Sequence, residues 1–182
     1  RKSLENHFKA WEIREQRTGK NGIENAKSYY NIGEAFHSLG VYDSAMIYAQ
    51  RSLEMREMLY GPMHPEVLGS RMSIGNIYLT QSKPDQALAY YNSCLEIVKV
   101  LEEHPSVETA SVYYAIGYTY FHKVEYDLAM EYYERALQIY REVLGEDNLS
   151  VAGCYNNMGM IHTYLDEYET ALDYYNRGFQ IF

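Results

Sequence analysis

A fixed spacing of 42 residues recurs through this chain and constrains its fold more than any other feature. It separates four glycines, and the same step separates four alanines and four tyrosines. These positions are Gly33, Gly75, Gly117 and Gly159; Ala45, Ala87, Ala129 and Ala171; and Tyr48, Tyr90, Tyr132 and Tyr174. Self-similarity at one period of roughly 20 to 50 residues is typical of repeat proteins, in which each unit packs against its neighbours in sequence.

Each repeat contains two stretches with the spacing of an amphipathic helix. In the first repeat, apolar and small residues recur every three or four positions over residues 24–39 and again over residues 43–59. Gly40-Val41-Tyr42 is the predicted turn between them, and small residues at Gly33 and Ala45 would let the two helix axes approach closely. The sequence therefore predicts an all-α fold of antiparallel helix pairs.

We expect one continuous array of repeats without a domain linker. Residues 1–18 match the second helix of a repeat whose first helix is missing. Because the chain lacks an initiator methionine and stops inside a helical pattern, we expect both ends to be cuts through a longer array. The predicted repeats cover residues 24–60, 66–102, 106–144 and 150–182.

The ends of the chain also suggest a structural hypothesis, end-to-end self-association. An array cut between repeats exposes apolar helix faces that a further repeat would otherwise cover. The residues concerned are Trp11, Phe179, Ile181 and Phe182.

The formal net charge is −9, from 25 acidic and 16 basic residues. That balance disfavours nucleic acid and anionic membrane surfaces as partners, since both attract basic proteins. No apolar run is as long as a membrane span, and residues 1–21 do not resemble a signal peptide. Cys94 and Cys154 fall at different phases of the repeat, so we expect small buried residues in a reducing, cytoplasmic compartment.

No motif in the sequence assembles catalytic, cofactor-binding or metal-binding chemistry. There is no phosphate-binding glycine loop, no His-Glu-x-x-His, no Cys-x-x-Cys and no nucleophile elbow. Six histidines occur, and no two of them stand at a close ligand spacing. We therefore expect no enzyme activity, no cofactor and no metal; the histidines are His7, His37, His64, His104, His122 and His162.

The recurring residues resemble the tetratricopeptide repeat. The fourth unit supplies Tyr155, Met158-Gly159, Ala171, Tyr175 and Gly178, and the third supplies Tyr113, Ile116-Gly117, Tyr120, Ala129, Tyr133 and Ala136. The ordinary period of that family is about 34 residues, so eight extra residues add about 12 Å of helix per unit. Long units joined by connectors such as Leu59–Val67 and Leu144–Val151 resemble the kinesin light chain type.

The resemblance implies a right-handed α-solenoid, a superhelix whose concave groove is lined by the first helix of each pair. Carrying the groove positions of the family onto this chain gives four sets of candidate partner-binding residues. They are Lys27, Tyr30, Glu34, His37 and Ser38; Met72, Asn76, Leu79 and Thr80; Tyr114, Tyr118, Phe121 and His122; and Asn156, Met160, Thr163 and Tyr164.

The sequence departs from the kinesin light chain type at two points. Only Asn156-Asn157 reproduces the paired asparagines typical of the groove helix, and the predicted groove is short of Lys and Arg where light chains have a basic groove. In addition, Arg71 occupies a position that an aromatic residue usually fills.

The first functional hypothesis is a scaffold or cargo adaptor of the kinesin light chain type, which binds a peptide or helix of a partner protein. Exposed aromatics beside hydrogen-bonding groups favour a partner with apolar or aromatic anchors, and the acidic balance is compatible with a basic segment. The alternative is a peptide-sensing regulatory receptor that switches an attached output domain. A receptor should change its compactness when peptide is added, and an adaptor need not.

Overall fold

The computed structural model describes Lys9, residues 22–100 and residues 106–181. Over residues 22–100 and 106–181 the chain forms eight α-helices and one 3₁₀ turn, Pro65–Val67, without a strand. Consecutive helices joined by short turns make four antiparallel pairs, which confirms the predicted all-α fold of helix pairs. The helices are α1 (Ile23–Ser38), α2 (Tyr42–Tyr60), α3 (Leu68–Thr80), α4 (Pro84–Val100), α5 (Val107–His122), α6 (Tyr126–Leu144), α7 (Leu149–Tyr164) and α8 (Tyr168–Phe179).

The contacts between residues divide the chain into two compact units, Arg1–Ile97 and Val98–Phe182. The described part of the first unit contains α1 to α4, with the division near the end of α4, and the second unit contains α5 to α8. The predicted partnerless helix at residues 1–18 and most of the connector at residues 102–106 lie outside the described residues. One continuous array over residues 1–182 stays a prediction.

The residues of the self-association hypothesis are only partly described. Phe179, at the end of α8, is 77% exposed, and Ile181 is half-buried. Trp11 and Phe182 lie outside the described residues, so end-to-end association stays a prediction. No helix among the described residues is long and apolar enough to cross a membrane.

The recurring glycines mark the closest approach of the two helices in each pair. In three pairs, a ring from the second helix lies against the bare backbone of the glycine in the first helix. These contacts join Gly75 to Tyr91, Gly117 to Tyr133 and Gly159 to Tyr175, where an added Cβ would lie 2.4, 3.0 and 2.9 Å from the nearest ring carbon. In the first pair Ala49 replaces the tyrosine, and a Cβ on Gly33 would lie 3.2 Å from the Ala49 backbone nitrogen. Small residues at these sites therefore set the spacing within each pair, as predicted for Gly33.

The two cysteines are free and buried. Cys94 stands at the repeat position of Ser52, Ala136 and Gly178, which is small in every unit. Burial raises the pKa of each thiol to about 12. The prediction that both cysteines are small buried residues is confirmed.

A left-handed residue ends the first helix of every pair. The four positions are again 42 residues apart, and their φ angles are 73° at Gly40, 58° at Ser82, 62° at Val124 and 60° at Asp166. Glycine adopts this conformation freely, whereas a β-branched residue is strained there. Val124 is the β-branched member of the set, and its side chain is 67% exposed. Burial of the Val124 side chain therefore offsets little of its backbone strain.

At two facing positions the second repeat differs from the other repeats, which have a tyrosine on the first helix and an arginine on the second. The second repeat has Arg71 and Ser93 at these positions. Elsewhere an arginine of the second helix lies over tyrosine rings, with Arg51 5.6 Å from the Tyr48 ring centroid and Arg135 5.8 Å from that of Tyr113. In the second repeat the arginine is on the first helix instead. Arg71 donates a hydrogen bond of 3.2 Å to the Ser93 carbonyl oxygen and pairs with Glu57 at 2.7 Å. The unusual Arg71 is thus accommodated by a small residue opposite it.

Val124→Gly should stabilise the protein by about 0.5 to 1 kcal/mol, because the relief of left-handed strain exceeds the extra chain entropy of glycine. The measurement is the urea midpoint followed by circular dichroism. Val41→Gly is the matched control: Val41 is an exposed turn residue with a φ of −94°, so the same change should destabilise. Equal effects at the two sites would contradict the strain at Val124.

Arg71→Tyr and Ser93→Arg should each destabilise, whereas the double variant should recover most of the loss. Arg71→Tyr removes the ion pair with Glu57, and Ser93→Arg brings two guanidinium groups together. The double variant recreates the tyrosine–arginine pair of the other repeats, so a coupling free energy of about 1 to 2 kcal/mol is expected. Urea unfolding of the four proteins measures it, and additive effects would refute the exchange of roles.

Candidate partner-binding faces of the first helices

The predicted partner-binding residues lie on two faces, one in each compact unit. The first-unit face is carried by α1 and α3, and the second-unit face by α5 and α7. Every residue of the predicted set keeps some exposure to solvent. Those classed as exposed are Lys27, Ser38, Thr80, Tyr118, His122, Thr163 and Tyr164; those half-buried are Tyr30, Glu34, His37, Met72, Asn76, Leu79, Tyr114, Phe121, Asn156 and Met160.

Polar contacts join α1 to α3 on the first-unit face. The Ser73 hydroxyl donates a hydrogen bond to the Glu34 carboxylate, and the His37 Nε2 atom lies 3.3 Å from the Thr80 hydroxyl. The Thr80 hydroxyl also donates to the Ile77 carbonyl oxygen within its own helix at 2.9 Å. Glu34, His37 and Thr80 therefore serve packing between neighbouring first helices as well as facing solvent.

Tyr30 packs against an arginine of the second helix. The Arg56 guanidinium lies 5.1 Å from the centroid of the Tyr30 ring and donates a 2.9 Å hydrogen bond to the Glu66 carbonyl oxygen. Burial raises the pKa of Tyr30, Glu34 raises it further, and Arg56 partly counters the rise. The ring is thus fixed in place and stays a neutral hydrogen-bonding group at physiological pH.

Asn76 has a structural partner. The hydroxyl of Tyr91, whose side chain is fully buried, donates a 2.6 Å hydrogen bond to the Asn76 Oδ1 atom. Burial raises the pKa of Tyr91, so the hydroxyl keeps its proton and needs an acceptor. Asn76 provides that acceptor.

On the second-unit face, the two neighbouring asparagines have different surroundings. The Asn157 Nδ2 group donates a 2.7 Å hydrogen bond to the Tyr114 hydroxyl, and this bond joins α7 to α5. Burial raises the pKa of Tyr114, and the hydrogen bond from Asn157 partly lowers it. Asn156 packs over Gly178, where an added Cβ would lie 2.7 Å from the Asn156 Oδ1 atom.

Thr163 is tied to its own repeat. Its hydroxyl donates a 2.9 Å hydrogen bond to the Gly159 carbonyl oxygen and lies 3.1 Å from the Tyr175 hydroxyl. Thr163 therefore positions the ring that packs on Gly159, and it remains exposed at the surface.

Five rings form an aromatic cluster where α5 and α7 end. The Tyr118 and His122 ring centroids are 4.5 Å apart, and Phe121 lies 5.6 Å from His122 and 5.5 Å from Tyr164. Tyr126, at the start of α6, lies 5.8 Å from Phe121 and 6.1 Å from Tyr164. The cluster (Tyr118, Phe121, His122, Tyr126 and Tyr164) combines residues of three helices.

Tyr126 is the member of the aromatic cluster that the sequence did not predict. It begins a second helix, whereas the predicted groove positions were confined to first helices. A signal was present, because Tyr42 and Tyr168 share its repeat phase. Tyr42 makes the corresponding contact in the first unit, 5.8 Å from the His37 ring.

The same two repeat positions carry different chemistry in the two units. His37 and Thr80 are 43 residues apart, and so are Phe121 and Tyr164, which lie two repeats further along. The first pair makes a polar contact of 3.3 Å, and the second places two aromatic rings 5.5 Å apart at 66°. The scaffold therefore accepts either pair at these positions.

The remaining histidines of the described residues have local structural roles. The His64 Nδ1 atom accepts a 3.2 Å hydrogen bond from the Glu66 backbone N–H at the start of the 3₁₀ turn. His162 stacks on Tyr174 with ring centroids 5.2 Å apart and lies 2.6 Å from a Glu167 carboxylate oxygen. Within the described part of the chain, no three His, Cys, Asp or Glu side chains are placed to hold a metal ion.

Comparison with family models finds the tetratricopeptide repeat over most of the chain. One model of that description matches residues 24–100 and 108–182, and a second matches residues 72–143. A search of curated protein sequences finds no match.

Several solved structures have a similar fold. BtubC (BKLC) from P. vanneervenii superposes with a TM-score of 0.82 at 21% identity, over 99% of this chain and 72% of that one. A Podosopora anserina protein assigned as a kinesin light chain with nearly identical TPR-like repeats gives 0.74 at 14% identity, over 98% and 84%. A Rap protein complexed with Competence and Sporulation Factor gives 0.83 at 20% identity, over 98% and 47%. At these identities the similarity shows a shared helical repeat fold.

Asn76→Ala should lower the free energy of unfolding by about 1 to 3 kcal/mol, because the buried Tyr91 hydroxyl loses its acceptor. Asn76→Ala combined with Tyr91→Phe should recover most of that loss, since the unpaired hydroxyl is removed too. Urea unfolding of the two variants and of Tyr91→Phe alone provides the measurement. A double variant no more stable than Asn76→Ala would show that the hydrogen bond is not the cause.

Proposed function

Because the chain belongs to the tetratricopeptide repeat family, we propose that it is a protein-interaction scaffold that holds an extended peptide or a helix of a partner protein. The binding surface is the exposed part of the first-unit and second-unit faces. In this family architecture, first helices line the surface that partners occupy. The proposed chemistry is recognition, with no covalent change of the partner and no need of a cofactor.

The observation that carries this proposal is the mixture of rings and amides on the second-unit face. Tyr118 is 38% exposed and Tyr164 is 62% exposed, and both lie in the aromatic cluster. Asn156 is half-buried on α7, one helix of the same face. Exposed rings provide apolar anchors, and side-chain amides pair with an extended backbone without demanding a particular sequence.

The finer form of the proposal is a cargo adaptor of the kinesin light chain type, acting in the cytoplasm. It is supported by the 42-residue period and by the fold shared with the Podosopora anserina protein. The faces of this chain differ from a basic groove, because Lys27 is the one lysine or arginine among the predicted partner-binding residues. We therefore expect a cargo segment chosen by apolar and aromatic anchors.

A second candidate is a peptide-sensing regulatory protein. It is favoured by the fold shared with the Rap protein, which was solved with Competence and Sporulation Factor. Small-angle scattering of the chain with and without its peptide separates the two candidates. A receptor should become more compact on binding, and an adaptor should keep its radius of gyration.

Tyr118→Ala and Asn156→Ala should each weaken binding of the partner peptide by about tenfold, because each removes an anchor from the second-unit face. The peptide comes from a pull-down with this chain, followed by mass spectrometry and competition with synthetic segments of the captured proteins. Titration calorimetry measures the affinity, and circular dichroism checks that the helices are intact.

The control is Leu128→Ala on α6, a second helix. The exposed fraction of Leu128 is 37%, close to the 38% of Tyr118, so the loss of apolar surface is similar. The affinity of the Leu128→Ala variant for the peptide should equal that of the unmodified chain. Unchanged affinity of both Tyr118→Ala and Asn156→Ala would show that the partner binds elsewhere.

A further inference from the structure

The turns next to the aromatic cluster contain an excess of acidic residues. Residues 122–127 and 164–169, which contain the two turns and the adjoining helix ends, include five acidic residues and one lysine. The acidic residues are Glu125, Asp127, Asp166, Glu167 and Glu169, and all five are exposed. We name these five residues the acidic rim.

The equivalent turns of the first unit lack this character. Residues 38–43 and 80–85 contain two acidic residues, Asp43 and Asp85, and one lysine, Lys83. The ring pair of the cluster is also replaced there by His37 and Thr80. Exposed rings and a large excess of acidic residues therefore occur together at this end of the second unit, whereas the equivalent turns of the first unit lack this combination.

Part of the acidic rim is engaged within the protein, and part faces solvent. Glu125 pairs with Lys123 at 3.3 Å, Glu167 lies 2.6 Å from His162, and Asp166 accepts a 2.6 Å hydrogen bond from the Tyr168 hydroxyl. Asp127 follows Tyr126 directly, and its exposed position is at the start of α6. A cation on the neighbouring rings would therefore lie in a negative field.

The chain itself shows what such rings bind. In the second unit, Arg135 lies 5.8 Å from the centroid of the Tyr113 ring, and Arg177 lies 5.8 Å from that of Tyr174. A guanidinium group stacks on an aromatic face and also donates hydrogen bonds to carboxylates, which a compact ammonium does less well. Tyrosine rings beside carboxylates are therefore suited to arginine.

We propose that the aromatic cluster and the acidic rim form a docking site for an arginine-containing segment of a partner protein. The guanidinium lies on the exposed ring of Tyr164 and is paired with the acidic rim, and an apolar neighbour of the arginine packs on Tyr118 and Phe121. The inference rests on the proposed function, since it names the partner chemistry of the second-unit face. An acidic segment is excluded from the site by like-charge repulsion.

The probe is a displayed library of random twelve-residue peptides, selected against the full 182-residue chain. Selected sequences should be enriched in arginine next to leucine or an aromatic residue. In synthetic copies, replacing arginine by citrulline, its neutral isostere, should weaken binding by about tenfold. Calorimetry at two salt concentrations should show weaker binding at the higher one.

The main variant is Phe121→His with Tyr164→Thr, which installs the pair found at His37 and Thr80. Because the scaffold already accepts that pair, the variant should fold, and circular dichroism checks this. It should lose about tenfold in affinity for the selected peptides. Tyr164→Thr alone, at a site that is 62% exposed, provides a second variant with little risk to folding, and it should lose several-fold.

The acidic rim is tested by a charge-matched comparison. Asp127→Asn with Glu169→Gln removes two carboxylates of the rim and should weaken binding of the selected peptides several-fold. Glu134→Gln with Glu142→Gln removes two exposed carboxylates of α6 outside the rim and should leave the affinity unchanged. Equal losses of affinity in the two double variants would show that only the total charge of the chain matters, and would overturn the part of the acidic rim in the site.

The outcomes separate this inference from the proposed function. One outcome is that Asn156→Ala weakens peptide binding, while neither the citrulline peptide nor Phe121→His with Tyr164→Thr changes the affinity. That outcome would overturn the arginine site and leave the proposed function standing. Selection of acidic peptides would do the same. A chain that selects no peptide would overturn both.

Discussion

The contact on which the rest of the structure depends is an aromatic ring of the second helix lying on the bare backbone of a first-helix glycine. It sets the distance between the helices of a pair, and it recurs at Gly75, Gly117 and Gly159. Even a methyl group at these glycines would displace the ring, since an added Cβ would lie 3.0 Å or less from a ring carbon. In the first pair Ala49 replaces the ring, and the backbone itself closes on Gly33.

This contact explains why the fold could be predicted from the sequence. A glycine inside an amphipathic helix is unfavourable on its own, so its recurrence every 42 residues indicates close packing. The helix pairs follow from that pattern, and the family match confirms the resemblance to the tetratricopeptide repeat. Arg71 could not be interpreted in the same way. Its partner, Ser93, is recognised only when the two positions are seen opposite each other.

For the candidate site, the sequence predicted the solvent exposure of the residues better than it predicted their contacts. The groove positions implied by the family resemblance all lie at least partly in solvent. Phase cannot show which polar groups are already paired, and the structure shows such pairs for Asn76 with Tyr91 and for Glu34 with Ser73. Tyr126 was not predicted because the groove positions were taken from first helices, and that ring reaches the second-unit face from a second helix.

The separation of these two kinds of position explains how one scaffold can present different surfaces. Positions inside a pair are constrained by the close approach of the two helices: every first helix has the glycine, and the residue against it is tyrosine in three repeats and Ala49 in the first. The outer positions are constrained only by the neighbouring first helix, and two chemically different pairs satisfy that requirement: His37 with Thr80, and Phe121 with Tyr164. Because Tyr164 is 62% exposed, its ring adds little to the core. The proposed arginine site accounts for a large aromatic side chain at such an exposed position.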